Sequence, residues 1–149
     1  MSTEDHKALL QEYFKNVTTM QLATVAGGKP WVCTVYFFES DGLIYWTSLK
    51  SRRHSVEILS NPLVAGTIVL DNDKKRALQF EGEAFILPLD DAERVNKLYG
   101  DRFGFKQSRL DEVLEDKEDS RAFWVLKPTF MSFWDEVAFP ESPKVEIEL

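Results

Sequence analysis

Hydroxyl and cationic side chains are concentrated in one short segment near residue 50. Between Asp41 and Glu57 the chain has three basic residues and no acidic residue, although the whole protein carries a formal charge of -7. Guanidinium groups, hydroxyls and the free N–H groups at the start of a helix are donors that suit a phosphate. The alternative is a solvated basic turn that binds nothing. The donors in this segment are Thr47, Ser48, Lys50, Ser51, Arg52 and Arg53.

Two predicted elements position these donors. Residues 43–47, which include Tyr45 and Trp46, are typical of a strand. Residues 51–59 are predicted to form a short helix with Ser48 or Ser51 as its N-cap. This helix ends before Pro62, because proline disfavours helical geometry in the residue that precedes it. The phosphate donors therefore lie where a strand meets a helix.

Other side chains offer less chemistry. Cys33 alternates with apolar residues in a predicted strand, which is typical of a core position rather than a nucleophile. The only histidines are His6 and His54, so we expect no metal site, and His54 could instead pair with Glu57 one turn later. The chain has no glycine-rich phosphate loop. A phosphorylated planar cofactor beside Trp46 therefore fits the pattern better than a nucleoside triphosphate.

Length and composition limit the remaining classes. The 149 residues fit a single domain spanning 1–149, and no apolar run approaches the ~20 residues of a membrane span. A lone cysteine and an N-terminal stretch without a signal-peptide layout predict a cytoplasmic location. The excess of acidic side chains disfavours nucleic acid as a partner. An aromatic fraction of 13% is high for one small core and predicts a homodimer.

Periodicity predicts a mainly β domain with helices at its ends. Helical spacing covers residues 3–16, with Ser2 or Thr3 at the start, and a later helix covers 90–99. The polar span 104–120 is predicted to be a loop or a weak solvent-facing helix. Many short strands indicate a barrel or a sandwich, and the first three strands are predicted to form a meander. The predicted strands are 20–25, 31–39, 43–47, 63–70, 76–87, 121–126 and 129–136, with turns at 27–30, 40–42 and 71–74, a break at Pro128 and a tail at 137–149.

Several of these pieces, in this order, resemble one known family. They are LATV at 22–25, KPWV at 29–32 with the strand to Phe38, YWTS at 45–48, SRR at 51–53, NPLVA at 61–65 and QFEGEA at 79–84. Tyr99 followed by DRF at 101–103 resembles a small branch of the same family. Over roughly residues 5–135 the chain resembles the FMN-binding split barrels related to pyridoxamine 5'-phosphate oxidase.

This resemblance implies a mainly β (α+β) fold, a six-stranded split β-barrel with flanking helices. It also implies a homodimer with two FMN molecules at the subunit interface. In such proteins the segment matching 46–53 binds the phosphate and ribityl chain, the strand matching 34–36 lines the flavin ring, and the position matching Gln79 lies near it. An aromatic residue of the other subunit, here Trp134 or Trp124, often covers the ring. The cofactor-binding residues implied are Thr34, Val35, Tyr36, Trp46, Thr47, Ser48, Lys50, Ser51, Arg52, Arg53, His54, Gln79 and Trp134.

Three functions are consistent with the resemblance. The first is an FMN-dependent oxidoreductase, for which the sequence identifies neither the substrate nor a catalytic residue. The second is a non-catalytic flavin-binding or flavin-storage protein. The third is a barrel that binds haem or a deazaflavin, although two histidines offer few haem ligands. Residues 135–149 lack the Arg- and His-bearing signature that holds the pyridoxal substrate, so true pyridoxamine phosphate oxidase activity is not expected.

Overall fold

The computed structural model describes residues 2–71 and 75–149, which form a curled antiparallel sheet with flanking helices. Residues 72–74 of the predicted turn at 71–74 lie outside this description. The helices are α1 Thr3–Asn16, α2 Arg53–Ser60, α3 Ala92–Phe103 and α4 Gln107–Glu115, with a 3-10 turn at Leu89–Asp91. The strands are β1 Thr19–Ala26, β2 Lys29–Tyr36, β3 Phe38–Ser40, β4 Leu43–Leu49, β5 Leu63–Asp71, β6 Arg76–Ile86, β7 Arg121–Asp135 and β8 Lys144–Ile147.

The strand order in the sheet is β2-β1-β5-β6-β7-β4-β3, and β8 also pairs with β7. In the described residues, two of the eight strands are short, since β3 has 3 residues and β8 has 4. The other strands are seven residues or longer and correspond to the six strands of the predicted barrel. The predicted split barrel with flanking helices is confirmed, and β3 and β8 extend it.

The predicted meander of the first three strands is wrong. β1 and β2 form the expected hairpin, but the predicted strand 31–39 divides at Phe37 into β2 and β3, which lie at opposite edges of the sheet. One residue is too short for a hairpin turn, so the chain continues away from β2, and Phe37 is fully buried in the core. β4 then pairs with β3 on one side and with β7 on the other.

Both faces of the sheet bury side chains, in two hydrophobic clusters. The larger cluster fills the barrel and includes Trp46 and Trp124, neither of which has exposed surface. The smaller cluster lies between the other face of β4 and β7 and the helices α3 and α4, and it includes Tyr45 and Phe123. Alternation along β4 explains the division, because Trp46 points into the barrel while Tyr45 and Thr47 point to the opposite face.

The N-terminal helix α1 has the predicted bounds. Ser2 is its N-cap: the N–H of Asp5 donates to Ser2 Oγ, and the N–H of Ser2 donates to the Asp5 carboxylate. This reciprocal pair is a capping box. Leu10, Tyr13 and Phe14 form the buried side of α1 and pack against the barrel core. Helical spacing and a local cap therefore determine both where α1 begins and how it docks.

The helix near residue 50 begins later than predicted. α2 starts at Arg53, and its N-cap is Arg52, which makes no side-chain hydrogen bond to the helix. Neither Ser48 nor Ser51 caps it, so that prediction is wrong. Ser48 belongs to β4, and Ser51 lies in a tight turn in which the N–H of Arg52 donates to the carbonyl of Leu49 at 3.2 Å. The turn uses the residues that the prediction had assigned to the helix.

Two further elements were predicted less definitely. The span 104–120, predicted to be a loop or a weak solvent-facing helix, contains the helix α4, whose inner side buries Leu110 and Val113. The two late strands predicted on either side of Pro128 form one strand, β7. The register shifts where Pro128 lies opposite Gly82, and this irregularity accommodates a residue that has no N–H to donate. The predicted tail contributes β8 to the sheet.

Candidate functional site

The junction between β4 and α2 presents the start of a helix without a cap. The N–H groups of Arg53, His54 and Ser55 have no partner inside the helix, because they belong to its first turn. The N-cap residue Arg52 has extended backbone angles and makes no cap, and the first turn contains no acidic residue. This end of α2 is therefore a set of backbone donors with a positive partial charge.

Two buried side chains of the same turn also have unsatisfied polar atoms. His54 is 8% exposed and Ser55 is fully buried, and neither His54 Nε2 nor Ser55 Oγ has a hydrogen-bond partner among the described residues. Nε1 of Trp46, inside the barrel, is also buried without a hydrogen-bond partner among the described residues. Burial, followed by the charge of Arg52, lowers the pKa of His54, so its imidazole is neutral at pH 7. Unsatisfied buried polar atoms cost about 1–3 kcal/mol each, which makes this turn a fitting place for a ligand with polar atoms.

Arg53 is already held by neighbouring side chains. Its Nε donates to Glu57 Oε2 at 2.7 Å, and its guanidinium carbon lies 4.1 Å from the centroid of the Trp31 ring. The other carboxylate oxygen of Glu57 accepts the Thr24 hydroxyl at 2.8 Å. The hydrogen bonds from Arg53 and then Thr24 lower the pKa of Glu57. The two Nη groups of Arg53 make no hydrogen bond with any described residue, so this arginine still has donors to offer.

The predicted partner of His54 is wrong, because Glu57 pairs with Arg53 instead. An i,i+4 acid–base pair on a helix is a signal that the sequence already contains. The contributions of Thr24 and Trp31 were missed, and no local pattern would have found them. They lie on β1 and β2 and meet α2 only because the helix packs against this end of the barrel.

Two other predicted phosphate donors are engaged elsewhere. Lys50 Nζ donates to the Asp116 carboxylate at 2.7 Å and to the carbonyl of Lys117 at 3.0 Å. The Thr47 hydroxyl donates to the carbonyl of Ala122 at 3.1 Å, on the side of β4 that faces away from the barrel. Within the described part of the chain, Arg52 is the predicted cation without an ion pair.

Four neighbouring strands present a row of polar side chains on the outer face of the sheet. The pairing registers align these residues directly across β2, β1, β5 and β6. In strand order the row consists of Thr34, Gln21, Thr67 and Gln79. Tyr36 lies on the same face and is 62% exposed, whereas Val35 points the opposite way and packs against the barrel core. The predicted ring-lining residues Thr34 and Gln79 therefore share one face, and Val35 does not.

The two tryptophans suggested as ring covers are in different environments. Trp124 has no exposed surface and donates from Nε1 to the carbonyl of Ser48 at 3.2 Å, so it is a core residue and is excluded as a cover. Trp134 is 43% exposed and donates from Nε1 to Glu136 at 3.1 Å. It borders a groove of about 600 Å³ that Gln79 also lines. Of the two tryptophans, Trp134 is therefore the remaining candidate for a ring cover.

The structure offers no other obvious reactive centre in residues 2–71 and 75–149. Burial and the charge of Glu57 raise the pKa of Cys33, so its thiol is protonated at pH 7. No group of three or more His, Cys, Asp or Glu side chains in these ranges could hold a metal ion. No helix of this part is long and apolar enough to cross a membrane.

The chain matches a recognisable group of proteins. The family model described as Pyridoxamine 5'-phosphate oxidase matches residues 4–135. The chain belongs to the pyridoxamine 5'-phosphate oxidase family. This confirms the resemblance drawn from the sequence motifs. No curated protein matches the chain at a significant level.

Solved structures share the fold of this family member. An F420 reductase is 25% identical with a TM-score of 0.62, over 82% of this chain and 94% of the reductase. The haem storage protein HutZ from Vibrio cholerae is 23% identical with a TM-score of 0.68, over 91% of this chain and 95% of HutZ. General Stress Protein 26 from Bacillus anthracis is 17% identical with a TM-score of 0.66, over 95% and 98% of the two chains. The shared barrel thus occurs in proteins with different named roles.

Proposed function

We propose that the protein binds FMN and works as an FMN-dependent oxidoreductase, with the FMN phosphate at the start of α2. The observation that carries the proposal is the uncapped start of α2, where free backbone N–H groups, a cation and two unpartnered polar side chains meet in one turn. Arg52 has no ion pair with any described residue, and His54 Nε2 and Ser55 Oγ are buried without partners beside an uncapped helix start. A phosphate has several strong acceptor oxygens and can accept from the free N–H groups of a helix start and from a guanidinium group together. Arg53 adds its free Nη groups from the position fixed by Trp31 and Glu57.

The isoalloxazine ring is assigned to the outer face of the sheet. A flavin ring has hydrogen-bonding atoms along one edge and apolar surface elsewhere. The aligned row from Thr34 to Gln79 supplies amide and hydroxyl groups, and the next row includes Val32, Ala23 and Ala65. This mixture of a few polar groups within an apolar surface is typical of cofactor sites. When bound, FMN supplies the redox chemistry, while these residues bind and orient it.

A homodimer with FMN at the interface is part of the proposal. The edge strand β2 exposes large apolar side chains on the outer face, with Val32 58% and Tyr36 62% exposed, and Trp31 on its other face is 40% exposed. An exposed apolar edge strand is an aggregation hazard unless another chain covers it. A second copy over this face would bury it and would bring its Trp134 towards the ring. Light scattering should give the dimer mass with flavin bound, and a flavin-loaded monomer at micromolar concentration contradicts this.

The oxidation of pyridoxamine phosphate is not expected. Residues 135–149 contain neither Arg nor His. Asp135 is used structurally, because it accepts the Tyr13 hydroxyl and the backbone N–H groups of Val137 and Ala138. An assay that follows pyridoxal phosphate formation should show little turnover at substrate saturation. Turnover of ~1 per second or faster, typical of metabolic enzymes, would prove this expectation wrong.

A second candidate is a flavin-binding or storage protein without catalysis. The observation that favours it is the polar row itself, in which no side chain ionises near pH 7 and none is a ready proton donor. The visible spectrum of the purified protein, followed by mass identification of the released cofactor, separates flavin, deazaflavin and haem. Bound FMN that no pyridine nucleotide or small reductant reduces would support the storage function over the oxidoreductase.

The haem alternative has little support from the two histidines. His54 is almost fully buried, and His6 is packed edge-on against Phe133 and Phe139, with ring centroids 6.0 and 5.9 Å away. A haem ligand needs an accessible ring nitrogen aimed at the iron. A Soret band in the purified protein would nevertheless overturn the flavin proposal.

The structure distinguishes two arginines that the sequence treats alike. Arg52→Ala removes a cation with no ion pair, so FMN affinity should fall roughly 10- to 150-fold while riboflavin, which has no phosphate, is barely affected. Arg53→Ala also removes the hydrogen bond to Glu57 and the contact with the Trp31 ring, so both FMN and riboflavin should bind more weakly. Lysine replacements should recover only part of the loss, because an ammonium lacks the guanidinium fork.

The measurement is a fluorescence titration of the apoprotein with FMN and riboflavin at fixed salt. Arg94→Ala is the control, because Arg94 lies on α3 in an ion pair with Asp91 and is not part of the α2 turn. It should leave both affinities unchanged. If the Arg52→Ala variant binds FMN like the wild type, the segment is a solvated basic turn that does not bind the phosphate.

A further inference from the structure

A second polar cavity lies on the other side of β4, between α3, α4 and the start of β7. Its volume is about 270 Å³, and three cationic residues line it, namely Lys106, Arg109 and Arg121. Thr47 also lines it, because its side chain points away from the barrel. The cavity is lined neither by Arg52 nor by the polar row from Thr34 to Gln79. It is therefore separate from the turn assigned to FMN phosphate.

Arg109 is the unusual member of this cavity. It is 8% exposed, and its Nη1 and Nη2 donate to Asn96 Oδ1 at 3.2 Å and to the carbonyl of Gly104 at 3.1 Å. Its guanidinium carbon lies 4.2 Å from the centroid of the Tyr99 ring. No described carboxylate forms an ion pair with it. A buried cation without an opposite charge is costly, and this cost is reduced if an anion occupies the cavity.

The cavity also has an excess of positive charge. Arg121 Nε donates to the Glu112 carboxylate at 2.8 Å, so the one acidic lining residue is already paired. Lys106 is exposed and has no ion pair with any described residue. Two of the three cations, Lys106 and Arg109, therefore have no ion pair with a described residue. Both face the same small space.

Neutral donors complete the arrangement. Burial raises the pKa of Tyr99, so its phenol is protonated at pH 7 and can donate. The Tyr99 hydroxyl makes no hydrogen bond with a described residue and is not fully enclosed, and Tyr99 lines the cavity. Nε of Arg109 likewise makes no hydrogen bond with a described residue and is not fully enclosed. Cations and hydroxyls that line one small space are the donor set of an oxyanion site.

We propose that this cavity binds a small oxyanion, such as inorganic phosphate or the phosphate or carboxylate group of a small metabolite. At about 30 Å³ per water molecule, its volume corresponds to roughly nine waters, which suits a small anion rather than a whole nucleotide. Tyr99, Lys106 and Arg109 bind the anion, and Arg121 contributes from its pair with Glu112. The site goes beyond the flavin function and stands without it.

The test titrates isotope-labelled protein with inorganic phosphate at pH 7, with sodium chloride holding the ionic strength constant. Amide resonances of residues 99–109 should shift and saturate with a Kd on the order of 1 mM or below. Tyr99→Phe keeps the ring beneath Arg109 but removes the hydroxyl, and it should weaken binding about tenfold. Lys106→Gln should weaken it about threefold, because that lysine is exposed. Lys97→Gln makes the same charge change on α3 outside the cavity and should have no effect.

Several results would overturn the proposal. One is the absence of saturable shifts in residues 99–109, and another is equal phosphate affinity in the wild type and the Tyr99→Phe and Lys106→Gln variants. The titration is repeated with FMN-saturated protein. Loss of phosphate binding there would identify the cavity as the FMN phosphate site and would refute a separate one. A protein that binds phosphate as expected but not FMN would refute only the proposed flavin function.

Discussion

The hydroxyl of Tyr13 on α1 donates to a carboxylate oxygen of Asp135, the last residue of β7. Both residues are almost fully buried. The other carboxylate oxygen of Asp135 accepts the backbone N–H groups of Val137 and Ala138 at 2.9 and 2.8 Å. Burial and the Asp135 carboxylate hold the pKa of Tyr13 far above its ordinary range, so the phenol keeps its proton. One side chain of β7 thus anchors α1 and shapes the chain that follows.

We expect Tyr13→Phe to destabilise the protein by about 1–3 kcal/mol, because it leaves a buried carboxylate oxygen without its donor. Urea unfolding followed by circular dichroism measures the change. Tyr36→Phe is the matched control, because the Tyr36 ring is largely exposed, and it should have little effect on the apoprotein. Equal stability of the Tyr13→Phe variant and the wild type would show that the hydrogen bond contributes nothing net.

The hydroxyl of Thr24 should support Glu57 in a pH-dependent way. Thr24→Val removes one of the two hydrogen bonds that lower the pKa of Glu57, so the urea midpoint at pH 7 should fall. A lowered carboxyl pKa stabilises the fold above the ordinary value of 4.5, and this stabilisation is lost as the pH falls through the folded-state pKa. The difference between variant and wild type should therefore shrink near pH 3. Thr34→Val, on the outer face, should show no such difference at either pH.

His54 should also make stability fall as the pH drops, because the fold favours the neutral form of this side chain. The folded state resists protonation of this buried imidazole, whereas the unfolded chain takes up a proton near the ordinary pKa of 6.5. Stability should be constant above about pH 7.5 and should fall as the pH drops through 6.5 towards the folded-state pKa. Urea midpoints of the apoprotein from pH 5 to 8 measure this slope. His54→Gln should flatten it and His6→Gln should not; the reverse result would contradict the assignment.

Gly66 should be required by the ring of Phe80. A Cβ atom at position 66 would lie 2.4 Å from Cζ of Phe80 and 3.2 Å from the carbonyl oxygen of Gln21. Gly66→Ala should therefore destabilise the protein by about 1–3 kcal/mol. Phe80→Leu removes the ring edge, so adding Gly66→Ala to that variant should cost less than adding it to the wild type. Strict additivity in this double-mutant cycle would show that the close approach to Phe80 is not the cause.

The sequence was sufficient for elements with a strong local signal. The α1 helix follows from apolar spacing and from the Ser2 cap, and the long strands follow from their β-branched and aromatic runs. The position of β3 and β4 did not follow, because Phe37 resembles any other strand residue and nothing local indicates that the chain leaves β2 there. Pro128 predicted a break between two strands. The irregularity opposite Gly82 that accommodates it depends on the pairing of β6 with β7, and a local pattern does not contain that information.

The candidate site was predictable to a similar degree. The sequence predicted a phosphate site in the turn before α2, and the structure leaves Arg52 there without an ion pair and His54 and Ser55 with unpartnered buried polar atoms. It could not separate Arg52 from Arg53, because the contact with Trp31 depends on packing between distant elements. Trp124 and Trp134 also looked equivalent until burial distinguished them. The flavin-site residues stay predictions until binding is measured.

The position of β4 also governs the order in which the chain can mature during synthesis. β4 is made early, yet the strand that covers its second edge is β7, which emerges only after β5, β6, α3 and α4. Trp46 and Trp124 lie opposite each other across this late pairing. Until residue 121 and its successors have left the ribosome, the nascent β3–β4 hairpin has one open, aromatic-rich edge. Proteins dominated by such distant pairings fold slowly and expose aggregation-prone hydrophobic surface in their intermediates. We therefore expect the chain to need chaperones chiefly during this interval.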